Sequence, residues 1–154
     1  MNTSPLRDAR NFRQVDDSLL TAGQPSEAQL ADAASQGVRV VINLALHDDS
    51  RYSLKDEAGC VRQLGMEYIH IPVQFKAPTE EDLLAFIDAM DAHREDKMLV
   101  HCAANYRVTA FLGLYRVIRD GWPAEKAFEP MRTVWEADDI WKPFIAEMLK
   151  KHAR

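Results

Sequence analysis

The chain contains two cysteines, Cys60 and Cys102, in very different settings. Cys102 follows the apolar run Met98-Leu99-Val100-His101 and precedes Ala103-Ala104-Asn105-Tyr106-Arg107, where a helical pattern begins. At a strand-to-helix junction the unsatisfied N–H groups and the positive helix end converge on one point. Such a point binds a phosphate-sized anion and stabilises a thiolate, the nucleophilic form of cysteine. Ala103 and Ala104 are small enough to let an anion approach the backbone. Asn105 falls where the loop needs a left-handed conformation, which Asn tolerates better than most residues. Arg107 offers a planar fork matched to two phosphate oxygens. Ala103, Ala104, Asn105, Tyr106 and Arg107 are thus the expected phosphate-binding residues, with Cys102 as nucleophile. His101 either tunes the thiol from the strand end or is a satisfied core histidine. Thr109 can donate a hydrogen bond to the thiolate. Cys60 lies in a helical pattern and reads as a packing residue.

The elements that position this loop alternate strand and helix patterns. Asn11–Val15 and Leu19–Ala22 read as short strands around an Asp16-Asp17-Ser18 turn. Ser26, with Gln29 in the capping-box position, opens a helix that Gly37 ends. Val38–Leu44 is β-branched and apolar, as expected of a strand buried on both faces. Leu54–Leu64 reads as a helix, Met66–Val73 as a strand, and Thr79 caps the next helix. Lys97–His101 is a strand, followed by a helix from Tyr106 to Asp120. Pro123–Val134 and Asp138–Lys151 supply two final helices, to whose packing Trp122, Trp135 and Trp141 contribute. This alternation predicts an α/β fold: three layers, with a mainly parallel central sheet of four to five strands and helices on both sides. In such sheets ligands bind beyond the carboxyl ends of the strands. The loops Ala45–Ser53, Gln74–Pro78 and Cys102–Tyr106 should therefore share one face. One domain is expected over residues 1–154.

The segments LLTAGQPS (19–26), GVRVVINL (37–44), GMEYIHIPV (65–73) and LVHCAANYRVTAF (99–111) resemble the cysteine-dependent tyrosine and dual-specificity phosphatases. The resemblance runs from about Phe12 to Arg119 and is strongest to small bacterial members that include the beta-lactamase-hydrolase-like group. It implies a dual-specificity-phosphatase-like fold and phosphomonoester hydrolysis through a phosphocysteine on Cys102, with Arg107 as phosphoryl clamp. It implies a general acid from another loop. Two departures stand out. The common loop has five residues between Cys and Arg, with Gly third; here four intervene and Asn105 takes the Gly slot. At the common length the arginine slot falls on Val108. The shorter loop is also the arrangement of rhodanese-type sulfurtransferases, whose cysteine carries sulfur. Where the family carries an Asp after the strand matching Tyr68–Val73, this chain reads Gln74-Phe75-Lys76. Asp48 and Asp49 are the candidate general acids, with Glu80 and Glu81 as further possibilities.

A net charge of −5 argues against nucleic acid as a partner, because phosphate-backbone binding wants a basic face. No apolar run approaches the roughly 20 residues of a membrane span, and the first ten residues lack the apolar stretch of a secretory signal. A cytoplasmic protein with free thiols is expected. His47, His70, His93 and His152 lack metal-ligand spacing, so no metal or cofactor is expected. The expected partner is a phosphorylated protein or small molecule. Beside the hydrolase, two alternatives stand: a phosphoanion-binding protein without turnover, and a rhodanese-like sulfurtransferase.

Overall fold

The computed structural model describes residues 4–46 and 53–153. After a 3-10 turn at Leu6–Asp8, the chain forms β1 (Arg13–Asp16), β2 (Leu19–Ala22), α1 (Glu27–Ser35) and β3 (Val40–Asn43). It continues through α2 (Glu57–Gln63), β4 (Glu67–His70), α3 (Glu80–Ala92), β5 (Met98–His101) and α4 (Tyr106–Ile118). Three further helices follow: α5 (Ala124–Ala127), α6 (Glu129–Val134) and α7 (Trp141–His152).

The five strands form one sheet in the order β1-β2-β5-β3-β4, in which only β1 and β2 pair antiparallel. Alternation of side chains sorts the two faces. Leu20, Ala22, Val41 and Leu99 meet Leu30 and Ala33 of α1 and Val61 of α2. Leu19, Val40, Ile42, Met98 and Val100 meet Phe86, Phe111, Leu114 and Trp141 on the side of α3, α4 and α7. Because both faces are covered, the central strands are buried on both sides and largely apolar rather than alternating. The chain is an α/β, three-layer protein with a mostly parallel sheet.

Local chemistry explains the boundaries. The Ser26 hydroxyl accepts from Gln29 N–H while the Gln29 side chain accepts from Ser26 N–H, completing the expected capping box. Thr79 caps α3 through Asp82 N–H. The helix expected over Leu54–Leu64 begins only at Glu57, because the Asp56 side chain accepts from Gly59 N–H and caps it there. The first strand is Arg13–Asp16 rather than Asn11–Val15, since Asn11 takes a positive φ of 53° that ends extended backbone. Pro123–Val134, expected as one helix, is two: Phe128 leaves helical geometry, and Pro130 sits at the start of the second, where its missing N–H costs nothing.

Candidate active site

The carboxyl ends of β3, β4 and β5 lie side by side, and residues just beyond each of them meet; the greater part of the expected Ala45–Ser53 loop lies outside the described residues. These strand ends border a cavity of about 570 Å³ lined by Cys102, Ala103, Ala104, Tyr106 and Arg107, by Gln74, Phe75 and Lys76, and by Leu46 and Arg10. Cys102 is fully buried there. Both cysteines are free thiols. Burial and the nearby carboxylates of Glu27, Glu57 and Asp56 push the Cys60 thiol up from its ordinary value.

The loop is held from outside rather than by its own sequence. Asn105 adopts the left-handed conformation, φ 68° and ψ 9°. Its amide group donates to the Asn11 carbonyl at 2.8 Å and to the Thr21 hydroxyl at 3.0 Å. In return the Asn11 amide donates to the Ala104 carbonyl at 2.9 Å. Gly23 crosses directly beneath: Gln24 N–H donates to the Ala103 carbonyl, and Gly23 N–H to that of Arg10. A β-carbon at Gly23 would stand 2.6 Å from the Ala103 oxygen, so only glycine fits this crossing. The segment 10–24 therefore braces the loop, a role its sequence does not advertise.

Arg107 is 6% exposed. Its Nη1 donates to the Val73 carbonyl at 2.9 Å, its guanidinium lies 5.9 Å from the Phe75 ring centre, and its Nε is buried without a hydrogen-bond partner. Val108, the alternative occupant of the arginine slot, is fully buried in the apolar core. Arg107, and not Val108, thus lines the cavity that Cys102 also lines.

His101 is a buried, hydrogen-bonded core histidine, one of its two expected readings, while the Thr109 hydroxyl is engaged elsewhere than the thiol. The His101 ring is buried, with Nε2 2.5 Å from a carboxylate oxygen of Glu57 and Nδ1 3.3 Å from the Cys102 carbonyl. Gln24 donates to the other Glu57 oxygen at 2.7 Å. Glu57 was missed by sequence reading: it sits 44 positions from His101, in a first helical turn where an acid already has a local reason to be. Thr109 does not direct its hydroxyl hydrogen to the thiol. That hydroxyl donates to the Asn105 carbonyl at 2.8 Å and accepts from Trp135 Nε1 at 3.2 Å. The bond back to the i−4 carbonyl is the one helical threonines favour.

The cavity wall is aromatic. Tyr106 stacks on Trp135 with ring centres 4.7 Å apart, and Phe75 contacts Tyr106, Trp135 and Trp141. Trp141 Nε1 donates to the Phe75 carbonyl at 2.8 Å, so α7 fixes the loop that carries Lys76. Trp122 sits apart from this group, between Arg116 and Lys126.

No carboxylate lines the cavity among the described residues. Glu80, the first residue of α3, is tied to Lys151 and His152 at the end of α7, and Glu81 is exposed outside the cavity lining. Asp48 and Asp49 lie outside the described residues. Among the described residues no group of three or more His, Cys, Asp or Glu could hold a metal, and no helix is long and apolar enough to cross a membrane.

The fold and the sequence have counterparts among known proteins. A crystal structure of a candidate phosphatase (DUF442) from Shewanella putrefaciens CN-32 superposes with a TM-score of 0.86 at 35% identity, covering 97% of each chain. The TpbA protein of P. aeruginosa, at 20% identity, shares the fold with a TM-score of 0.71 over 90% of this chain and 84% of its own. Among curated proteins, the beta-lactamase hydrolase-like protein of Xylella fastidiosa (strain Temecula1) is 30% identical over 106 residues, 68% of this chain. The chain spans about a quarter of that relative's length, 24%. The family described as "DSP-PTPase phosphatase fused to NAD+ Kinase" matches residues 5–139. By that match, over most of its length, the chain belongs to this dual-specificity phosphatase family.

Proposed function

We propose that the chain hydrolyses phosphomonoesters through a covalent phosphocysteine on Cys102. The observation that carries the reading is that Cys102 and the buried Arg107 line one cavity at the end of β5, beside the start of α4. The first-turn N–H groups of α4 have no acceptors within the helix, and the helix dipole favours negative charge there. Ala103, Ala104, Asn105, Tyr106 and Arg107 cradle the phosphoryl oxygens, with the Arg107 guanidinium as clamp. The Cys102 thiolate attacks phosphorus, the sulfur–phosphorus bond forms as the ester oxygen departs, and that oxygen takes a proton. Water then attacks phosphorus, releasing orthophosphate and restoring the thiolate. His101, fixed by Glu57, holds the backbone at Cys102. Family membership and the likeness to the Shewanella structure support phosphatase activity and a phosphorylated substrate.

The cavity's lack of a carboxylate among the described residues favours a second reading, a phosphoanion-binding protein that does not turn over. An activated aryl phosphate separates the two, because its leaving group needs little protonation. The protein should hydrolyse p-nitrophenyl phosphate, and Cys102→Ser should abolish that turnover while an inorganic phosphate complex still forms. Phosphate binding without hydrolysis selects the binding reading. Transfer of sulfur from thiosulfate to cyanide, with no aryl phosphate hydrolysis, selects a sulfurtransferase instead.

A further inference from the structure

The cavity is larger and more cationic than one phosphoryl group requires. At about 570 Å³ it is the size of a small-molecule site rather than of a bare anion. Three cations line it, Arg10, Lys76 and Arg107, and no carboxylate offsets them among the described residues. The chain as a whole has 24 acidic and 19 basic residues, so this concentration runs against its composition.

The three cations divide by position. Arg107 is buried beside Cys102, tied to Val73 and carrying an unpartnered Nε, which suits a single phosphoryl group at the sulfur. Arg10 and Lys76 are exposed, and neither makes an ion pair among the described residues. They come from separate segments, each pinned by its backbone. The Arg10 carbonyl accepts from Gly23 at 2.6 Å, and the Phe75 carbonyl next to Lys76 accepts from Trp141. Leu46, Phe75 and Tyr106 share the cavity lining with these charges and offer an apolar surface for a carbon skeleton. Lys76 also stands in the stretch where the family resemblance places a proton-donating acid, so a fixed cation replaces a neutralisable group there.

We propose that the ligand of this site is a small phosphomonoester with a second anionic group, another phosphate or a carboxylate, received by Arg10 and Lys76. The proposal rests on the phosphomonoester reading above. Calorimetric titration of the Cys102→Ser protein compares phenyl phosphate with 1,3-phenylene bisphosphate and 3-carboxyphenyl phosphate at low salt. The second anionic group should tighten binding about three- to tenfold, as expected for two solvent-exposed charge contacts, and the gain should shrink as salt is added. In Arg10→Gln/Lys76→Gln the ratio of the two affinities should fall toward one, and Lys76→Glu should reverse the preference. Melting temperatures confirm that these surface variants are folded. Equal binding of all three ligands overturns the second subsite and leaves the hydrolase reading standing. A preference that survives in the double variant overturns its assignment to Arg10 and Lys76. If none of the ligands binds, the phosphomonoester reading falls with the proposal.

Discussion

Arg107 presents a guanidinium that is buried, anchored at one nitrogen and unpartnered at another. Lysine has a compact ammonium in place of the planar fork that can hold the Val73 carbonyl on one side and offer paired N–H groups to two phosphoryl oxygens on another. Arg107→Lys should therefore lower kcat for p-nitrophenyl phosphate by about 10²-fold or more, the usual effect of removing one preorganised oxyanion donor. Arg116→Lys is the control: Arg116 lies on the same helix, against Trp122 and Asp16, outside the cavity. Steady-state kinetics on both variants decide the point, and an active Arg107→Lys enzyme would remove the clamp. At this scale the sequence was legible where the signal is local. The left-handed Asn105 and the capping pair Ser26 and Gln29 both followed from neighbouring residues, whereas local sequence left the arginine slot open between Arg107 and Val108. Glu57, Arg10 and Gly23 did not follow, because each acts on residues far from it in sequence, and Glu57 also has a plain local reason to stand in a first helical turn.

Helix α4 carries the first turn beside Cys102 and must sit correctly against α5 and α6. Gly113, mid-helix, makes that possible: a β-carbon there would overlap the Phe128 ring at the junction of α5 and α6. Glycine inside a helix is usually about 1 kcal/mol worse than alanine, so its presence marks a close packing that outweighs propensity. Gly113→Ala should lose stability by about 1–3 kcal/mol through overpacking, less the propensity gain. The melting temperature should fall by several degrees, which differential scanning calorimetry would register, with turnover at 25 °C little changed. A rise in melting temperature would mean that Phe128 rotates away freely. The element pattern was readable from periodicity, apart from the break at Phe128. That break follows from tertiary packing against Gly113 and from Pro130, and an apolar pattern alone does not encode it.

At the scale of the whole molecule, ionisation links the layers to pH. Tyr68 and Tyr115 are both pushed well above the ordinary tyrosine value, first by burial. Tyr115 donates to Asp91 at 2.8 Å, and Tyr68 accepts from Asn43 at 3.0 Å. A group whose proton is held more tightly in the folded state contributes stability below its unfolded value of about 10 and loses it as pH rises further. Stability should therefore fall above pH 10, read as a declining urea midpoint. The tyrosinate absorbance of these two residues should appear only with unfolding. Early titration of all the tyrosines in the native state would contradict their burial.

The strand order β1-β2-β5-β3-β4 has a consequence for how the chain comes to be folded at all. The strand that leads into Cys102 is the last of the five in sequence, yet it lies between β2 and β3 and, among the described residues, joins the pair β1-β2 to the pair β3-β4 within the sheet. During synthesis from the amino terminus, those two pairs emerge first and share no hydrogen-bonded edge. Each exposes the unpaired edge that β5 will cover, which is an aggregation hazard while it lasts. The closing event is late and long-range, the kind of contact that slows folding. It is also the event that brings Ala22 and Gly23 against residues 102–104. Completion of the sheet and placement of residues 102–104 are thus one step, and a half-folded chain cannot carry this loop in its final shape.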